Sequence, residues 1–287
     1  MSGCGRSRWA ARGRLPVVLA AMAGGPLVGC IGDAPPPPFG GSRAMELNAE
    51  GVSLIRSGDT EQALAVFEQA LALAQRLDEP VAQGEALQNG AVLARLAGRM
   101  DEAIRLQRMA VERYGLVSEE VRVAEARLDL SILLAASGDT EAAAAARAQA
   151  ADVLRASGTP AQRARLLLIE ASEAAEAGRF ADAVDRASRG LEQAGTVPAA
   201  DAQADALALV AGLHAARAAA RAGLGAHAAA AADWQAALEL DRRREASGAI
   251  RDDLRGLARA RRALGDAAAA DRLERRAELV REAMGAD

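Results

Sequence analysis

Small and apolar side chains return along most of this chain at fixed distances from a punctuating glycine. The anchors are Gly58, Gly98, Gly138, Gly178, Gly225 and Gly265, spaced by 40, 40, 40, 47 and 40 residues. Seven residues before them lie Gly51, Ala91, Ser131, Ala171, Ala218 and Ala258; five after lie Ala63, Ala103, Ala143, Ala183, Ala230 and Ala270. Twelve after come Ala70, Ala110, Ala150, Gly190, Ala237 and Ala277. A fixed period of this size marks a repeat array. Small residues at three offsets in six repeats predict helices in close contact, where a minimal side chain lets two backbones approach.

The turn wording recurs too. Ser57-Gly58-Asp59-Thr60-Glu61 is repeated letter for letter at Ser137-Gly138-Asp139-Thr140-Glu141, Ala97-Gly98-Arg99 is echoed at Ala177-Gly178-Arg179, and Pro80 at Pro160. Glycine tolerates the left-handed backbone that ends one helix, and Asp or Thr caps the next, so each anchor separates two antiparallel helices. The spacing predicts first helices over 80–97, 120–137 and 160–177, with Pro80 and Pro160 in the first turn, where a missing amide costs little. The 47-residue interval adds about two helical turns, keeps the buried face in register and predicts a long helix around 201–222. The last helix, with Arg272, Glu274, Arg275, Arg276, Glu278 and Arg281, reads as a polar cap.

Small residues at these offsets, with a bulky Phe67 or Trp234 in the second helix, resemble tetratricopeptide repeats over about residues 44–283. The period is longer than that family's usual one, and Gln107, Arg147, Ala187 and Glu274 stand where Phe67 stands in the first repeat. The resemblance implies an all-α, right-handed superhelical solenoid of about six helix-turn-helix repeats. It also implies that first helices line a concave groove that receives a protein partner. Asn48, Val52, Ile55, Gln88, Val92, Arg95 and Ile132 are the candidates on that surface; each reads equally well as packing between repeats. The family's carboxylate-gripping version uses Lys and Asn on successive first helices, and this chain contains no Lys.

The amino-terminus has a different pattern. Arg6, Arg8, Arg12 and Arg14, with no acid, precede an apolar run from Leu15 to Val28 that is broken by Pro16, Gly24, Gly25 and Pro26. A membrane span needs about 20 apolar residues, so a cleaved export signal is favoured over a permanent anchor. Leu27-Val28-Gly29-Cys30 then resembles the lipobox of bacterial lipoproteins, which implies cleavage before Cys30 and acylation of its sulfur. Two or more acyl chains anchor stably. Residues 1–29 thus read as signal and 30–43 as lipidated Cys and tether, with Pro35–Pro38 and Gly40-Gly41; 44–287 is the repeat domain. A dozen extended residues reach roughly 40 Å at about 3.1 Å each.

Charge narrows the partners. The chain has 35 basic residues, all Arg, against 39 acids; loss of four Arg with the signal leaves 31 against 39, moving the charge from −4 to −8. An acidic body disfavours nonspecific nucleic-acid binding, and six aromatics in 287 residues supply few stacking platforms. Cys4 leaves with the signal and Cys30 carries lipid, so the mature chain has neither a disulfide framework nor a free thiol.

Catalytic motifs are lacking. The two histidines, His214 and His227, stand thirteen residues apart without a cysteine or acidic cluster in metal-ligand spacing. No phosphate loop, nucleophile elbow or zinc-protease helix occurs, and no cofactor is implied. Arg251, Arg255, Arg259 and Arg262 form one helical stripe, either a dock for an acidic partner or headgroups, or a solvated face paired with Asp252 and Asp253. The chain reads as a non-enzymatic scaffold or assembly factor anchored in a bacterial envelope. Ile31 after Cys30, by the enteric sorting rule, implies the outer membrane facing the periplasm, with an envelope protein as partner. The alternatives are an accessory subunit of an envelope enzyme, a carrier of a small ligand between repeats, and a soluble cytoplasmic adaptor with a misassigned start.

Overall fold

A computed structural model describes residues 42–195 and 204–285, all helical apart from the turns. The lipobox residues Leu27, Val28 and Gly29, Cys30 and nearly all of the tether lie outside them. Twelve helices follow in order: α1 (Arg43–Arg56), α2 (Thr60–Arg76), α3 (Pro80–Leu96), α4 (Met100–Gly115), α5 (Glu120–Ser137), α6 (Thr140–Ser157), α7 (Pro160–Glu176), α8 (Phe180–Ala194), α9 (Ala204–Gly223), α10 (His227–Arg243), α11 (Ser247–Ala263) and α12 (Ala267–Met284). They pack as six consecutive hairpins, and the odd-numbered helix of each hairpin also meets its counterpart in a neighbouring repeat at several of the junctions. Among the described residues α9 is the longest helix, at 20 residues.

One turn is used six times within the hairpins. Gly58, Gly98, Gly138, Gly178, Gly225 and Gly265 all have positive φ, as at Gly138 with 93°. The next amide reaches back five residues to close the helix end, as from Asp59 to the Leu54 carbonyl at 2.9 Å and from Asp139 to Leu134 at 3.0 Å. Asp59, Asp139 and Asp266 then cap the second helix, each accepting from the amide three residues on. Between hairpins the chain turns through Asp78, Ser118 and Glu245, also at positive φ. The junction from α6 to α7 differs: Gly158 and Thr159 are both extended, with ψ of 154° and 164°. A Cβ at Gly158 would lie 2.4 Å from the Leu154 carbonyl oxygen. Helices α6 and α7 meet at fewer positions than any other successive pair of the described helices.

The core is made largely of alanine, with leucines between. Among the described residues each aromatic packs against a glycine: Phe67 on Gly51, Tyr114 on Gly84, Phe180 on Gly223 and Trp234 on Gly256. The inner layer is largely covered by its neighbours. No residue is fully exposed over 80–95, 121–134, 160–175 or 205–222, whereas α1 and α11 each show a solvent side. Arg272, Glu274, Arg275, Arg276, Glu278 and Arg281 of α12 are all exposed, so that the array ends on a polar face.

The Cβ of Gly256→Ala would lie 2.4 Å from Trp234, whose indole is 4% exposed. The expected loss is about 1–3 kcal/mol in chemical denaturation, the cost of overpacking. Gly115→Ala, which meets open space, is expected to be neutral or stabilising in the same assay.

Candidate functional site

The inner wall is built from the odd-numbered helices, and polar side chains join α1, α3, α5 and α7 in turn. Asn48 of α1 donates from Nδ2 to the Ala82 carbonyl of α3 at 3.1 Å, and Arg122 of α5 donates to Glu85 of α3 at 2.9 Å. Farther along, the Tyr114 hydroxyl donates to Gln88 Oε1 at 2.5 Å, Gln88 Nε2 donates to Asp129 Oδ2 at 3.2 Å, and Arg165 of α7 closes on the other Asp129 oxygen. Three repeats are thereby wired together through Asp129.

Burial raises the Glu85 carboxyl above its usual range despite Arg122 beside it. Glu125 is raised for the same reason, against Gln162 and Arg165. Arg95, pointing toward Asp129, is desolvated enough that its pKa is lowered.

The seven candidate groove residues divide into two groups. Asn48, Val52, Ile55 and Ile132 are buried: Val52 and Ile55 pack with Ala63, Phe67 and Leu93, and Ile132 packs with Leu128, Leu154 and Leu166. Gln88, Val92 and Arg95 instead share a small cavity of about 30 Å³ with Asp129 and Leu133. Asp129, Arg165, Glu85, Arg122 and Tyr114 complete this wall without having been singled out from sequence. A signal for part of it exists, because Glu85, Glu125 and Arg165 recur at intervals of 40 residues. Gln107, at the position of Phe67, donates to the Ala126 carbonyl at 2.9 Å, so an amide substitutes for a ring by bonding to the next repeat.

A larger cleft of about 740 Å³ opens between α6 and α8, with α7 as its floor. Its charges pair internally: Glu170 accepts from Arg155 at 2.5 Å and faces Arg186 at 3.5 Å, and Arg163 donates to Gln193 at 2.9 Å.

Toward the carboxyl end two buried carboxylates behave oppositely. Asp233 receives Arg217 at 2.7 Å, Arg221 at 2.7 Å and His214 at 3.3 Å. Burial acts to raise its pKa, but the bonds from His214 and Arg217 and the two guanidinium charges carry it below the ordinary range. Asp253, expected on a solvated face, lies 3% exposed against Asp241, itself 4% exposed. Burial first, then the Asp241 carboxylate, pushes Asp253 up to about 9, with Arg244 opposing. Within the stripe, Arg251 bonds Asp252 at 2.9 Å and Arg262 bonds Asp271 and Glu274. Arg255 and Arg259 are exposed. His227 begins α10. Among the described residues no group of three or more His, Cys, Asp or Glu is placed to hold a metal ion.

Comparison with known proteins gives one family match: residues 43–115, the first two hairpins, match the tetratricopeptide repeat. No curated protein matches the chain. Among solved structures, BtubC (BKLC) from P. vanneervenii is 16% identical with a TM-score of 0.39, over 84% of this chain and 80% of that one. A putative kinesin light chain from Podosopora anserina with nearly identical TPR-like repeats is 13% identical at a TM-score of 0.37, over 84% and 96%. The TPR2AB domain of yeast Sti1, solved in complex with pHSP90, is 18% identical at 0.32, over 86% and 96%.

The Asp241–Asp253 pair makes stability pH-dependent. Asp253 keeps its proton in the fold up to about 9 but loses it near 3.8 when unfolded, so stability is full below the lower value and falls as pH rises toward the upper. The fall is at most about 1.4 kcal/mol per pH unit. Urea titrations at several pH values should show this slope in the parent, and a much flatter one in Asp253→Asn, which imitates the protonated acid.

Proposed function

We propose that this protein is a tetratricopeptide scaffold that holds a protein partner on the inner wall of its repeat array while a lipid on Cys30 keeps it at a bacterial envelope membrane. The supporting observation is the pairing of a family-matched repeat start, at residues 43–115, with a wall whose Gln88, Val92 and Arg95 stay partly accessible beside Asp129. Amide and guanidinium donors fix an extended backbone, and Val92 offers an apolar contact.

The membrane half of the proposal rests on the Leu27-Val28-Gly29-Cys30 resemblance behind a basic and then apolar start. No helix among the described residues is long and apolar enough to cross a membrane. The anchor would therefore be supplied by acylation. The short chain from Cys30 to Ser42 sets how far the repeats stand from the lipid. Placement at the outer membrane facing the periplasm follows from Ile31 only where the enteric sorting rule operates.

The small-ligand alternative calls for a sealed apolar cavity between repeats. The cleft over α7 is open and lined by arginines and carboxylates, which favours the protein-partner reading.

Intact mass of the protein taken from membranes tests the anchor: the expected species lacks residues 1–29 and carries acyl mass, and Cys30→Ala abolishes both. Crosslinked partners test the wall. Val92→Glu, with helicity checked by circular dichroism, is expected to lower partner recovery about tenfold, equivalent to about 1.4 kcal/mol, without altering acylation. An unprocessed cytosolic protein would overturn the envelope location, and unchanged recovery would overturn the wall.

A further inference from the structure

The first and fifth repeats touch, although three hairpins separate them. Arg56, at the end of α1, lies 3.8 Å from Asp205 at the start of α9. Arg165 of α7 and Arg244, which follows α10, also direct their charge at that carboxylate. Three guanidinium groups, from the first, fourth and fifth repeats, thus converge on one half-buried acid. Desolvation raises its pKa, so the carboxylate is ionised at a cost that the surrounding arginines offset.

Between the two touching repeats lies the weakest joint in the array. The Gly158-Thr159 link is extended where the turns at Asp78, Ser118 and Glu245 are left-handed, and the cleft over α7 and α8 opens beside Arg155 of α6. Ion pairs span the gap, Arg155 with Glu170, Arg147 with Glu173 and Arg165 with Asp129, beside a buried apolar cluster in which Leu128, Ile132 and Leu154 meet Leu166 and Ile169, so the hinge must part these contacts to turn. Rotation about this joint moves the fifth repeat relative to the first without disturbing any hairpin. A surface ion pair of the Arg56–Asp205 kind contributes little to global stability and is screened by salt, as an openable contact requires.

We infer that Arg56 and Asp205 form a latch, and the α6–α7 junction its hinge, which together close the inner wall and gate a partner's access to it. This rests on the inner wall being the binding surface, and it names how that surface is regulated. In the closed state Val92 is only partly accessible and no position of α3, α5 or α7 between their end turns is fully exposed. A partner gains the wall when the latch parts, and a bound segment then keeps it open.

Two readouts test this on the full chain in its own membranes. In the first, exposed Ser57→Cys and Ala204→Cys flank the latch, and a short bis-maleimide followed by peptide mass spectrometry detects whether they join. Identification by peptide mass keeps the result independent of whether Cys30 is acylated. The link is expected in the parent and is expected to drop about tenfold in Asp205→Arg, where four cations would converge, and at high salt. Arg56→Glu, at an exposed helix end, should give the same loss and covers the case in which Asp205→Arg fails to fold.

In the second, a thiol at Val92→Cys should react with a maleimide several-fold faster in either latch variant than in the parent. Absence of the parent link would overturn the latch. A link or a Val92→Cys rate indifferent to both charge reversals would overturn its gating. Failure of the partner-binding reading shows separately, as unchanged partner recovery in Val92→Glu.

Discussion

Close approach of helices through missing side chains is the constraint on which this fold depends. With so few aromatics, the chain cannot fill its interior with large rings, and alanine contacts keep neighbouring axes near one another instead. The few rings present are placed where a glycine faces them: a Cβ at Gly51 would sit 2.4 Å from Phe67, and one at Gly84 would sit 2.6 Å from Tyr114. Narrow spacing within each hairpin follows from this. So does the partial cover of the inner layer, because helices this close leave no fully exposed position over the middle of α3, α5 or α7.

A largely covered inner layer explains why that layer is polar where the repeats meet. Side chains such as Asp129 and Arg165 can neither reach bulk water freely nor remain unpaired, and the link from Tyr114 through Gln88 and Asp129 to Arg165 satisfies them in series. Partners drawn from successive repeats connect the inner surface from the first repeat to the fourth. The joint between α6 and α7 interrupts the regularity, since Arg163 and Glu170 occupy the stripe of α7 that faces α6. Ion pairs share that interface with the buried cluster of Leu154, Leu166 and Ile169, and the two helices meet over a shorter stretch than their neighbours do, so the joint opens more easily.

Much of this was legible in the sequence for a physical reason. Left-handed turn glycines and capping aspartates act locally, so the positions of Gly58, Asp59, Gly138 and Asp139 place the hairpin turns, and Pro80 and Pro160 place two helix starts. The inner wall was less legible, because burial depends on how far the array curves, which no single repeat encodes. Asn48, Val52, Ile55 and Ile132 lie on first helices as the pattern requires, yet neighbouring repeats cover them. Asp253 shows the same limit: adjacent to solvated Arg residues in sequence, it is drawn into a pair with Asp241 across a helix interface. The contact of Arg56 with Asp205 joins residues about half the chain apart and leaves no local mark.

The central claim is that six hairpins wind tightly enough for the fifth to return to the first. Small-angle X-ray scattering from the purified protein measures this directly. A compact profile matching the closed array, expanding when Asp205 is changed to Arg, is the predicted result. An elongated profile in the parent, with the ends of the array far apart and no response to the substitution, would contradict the account.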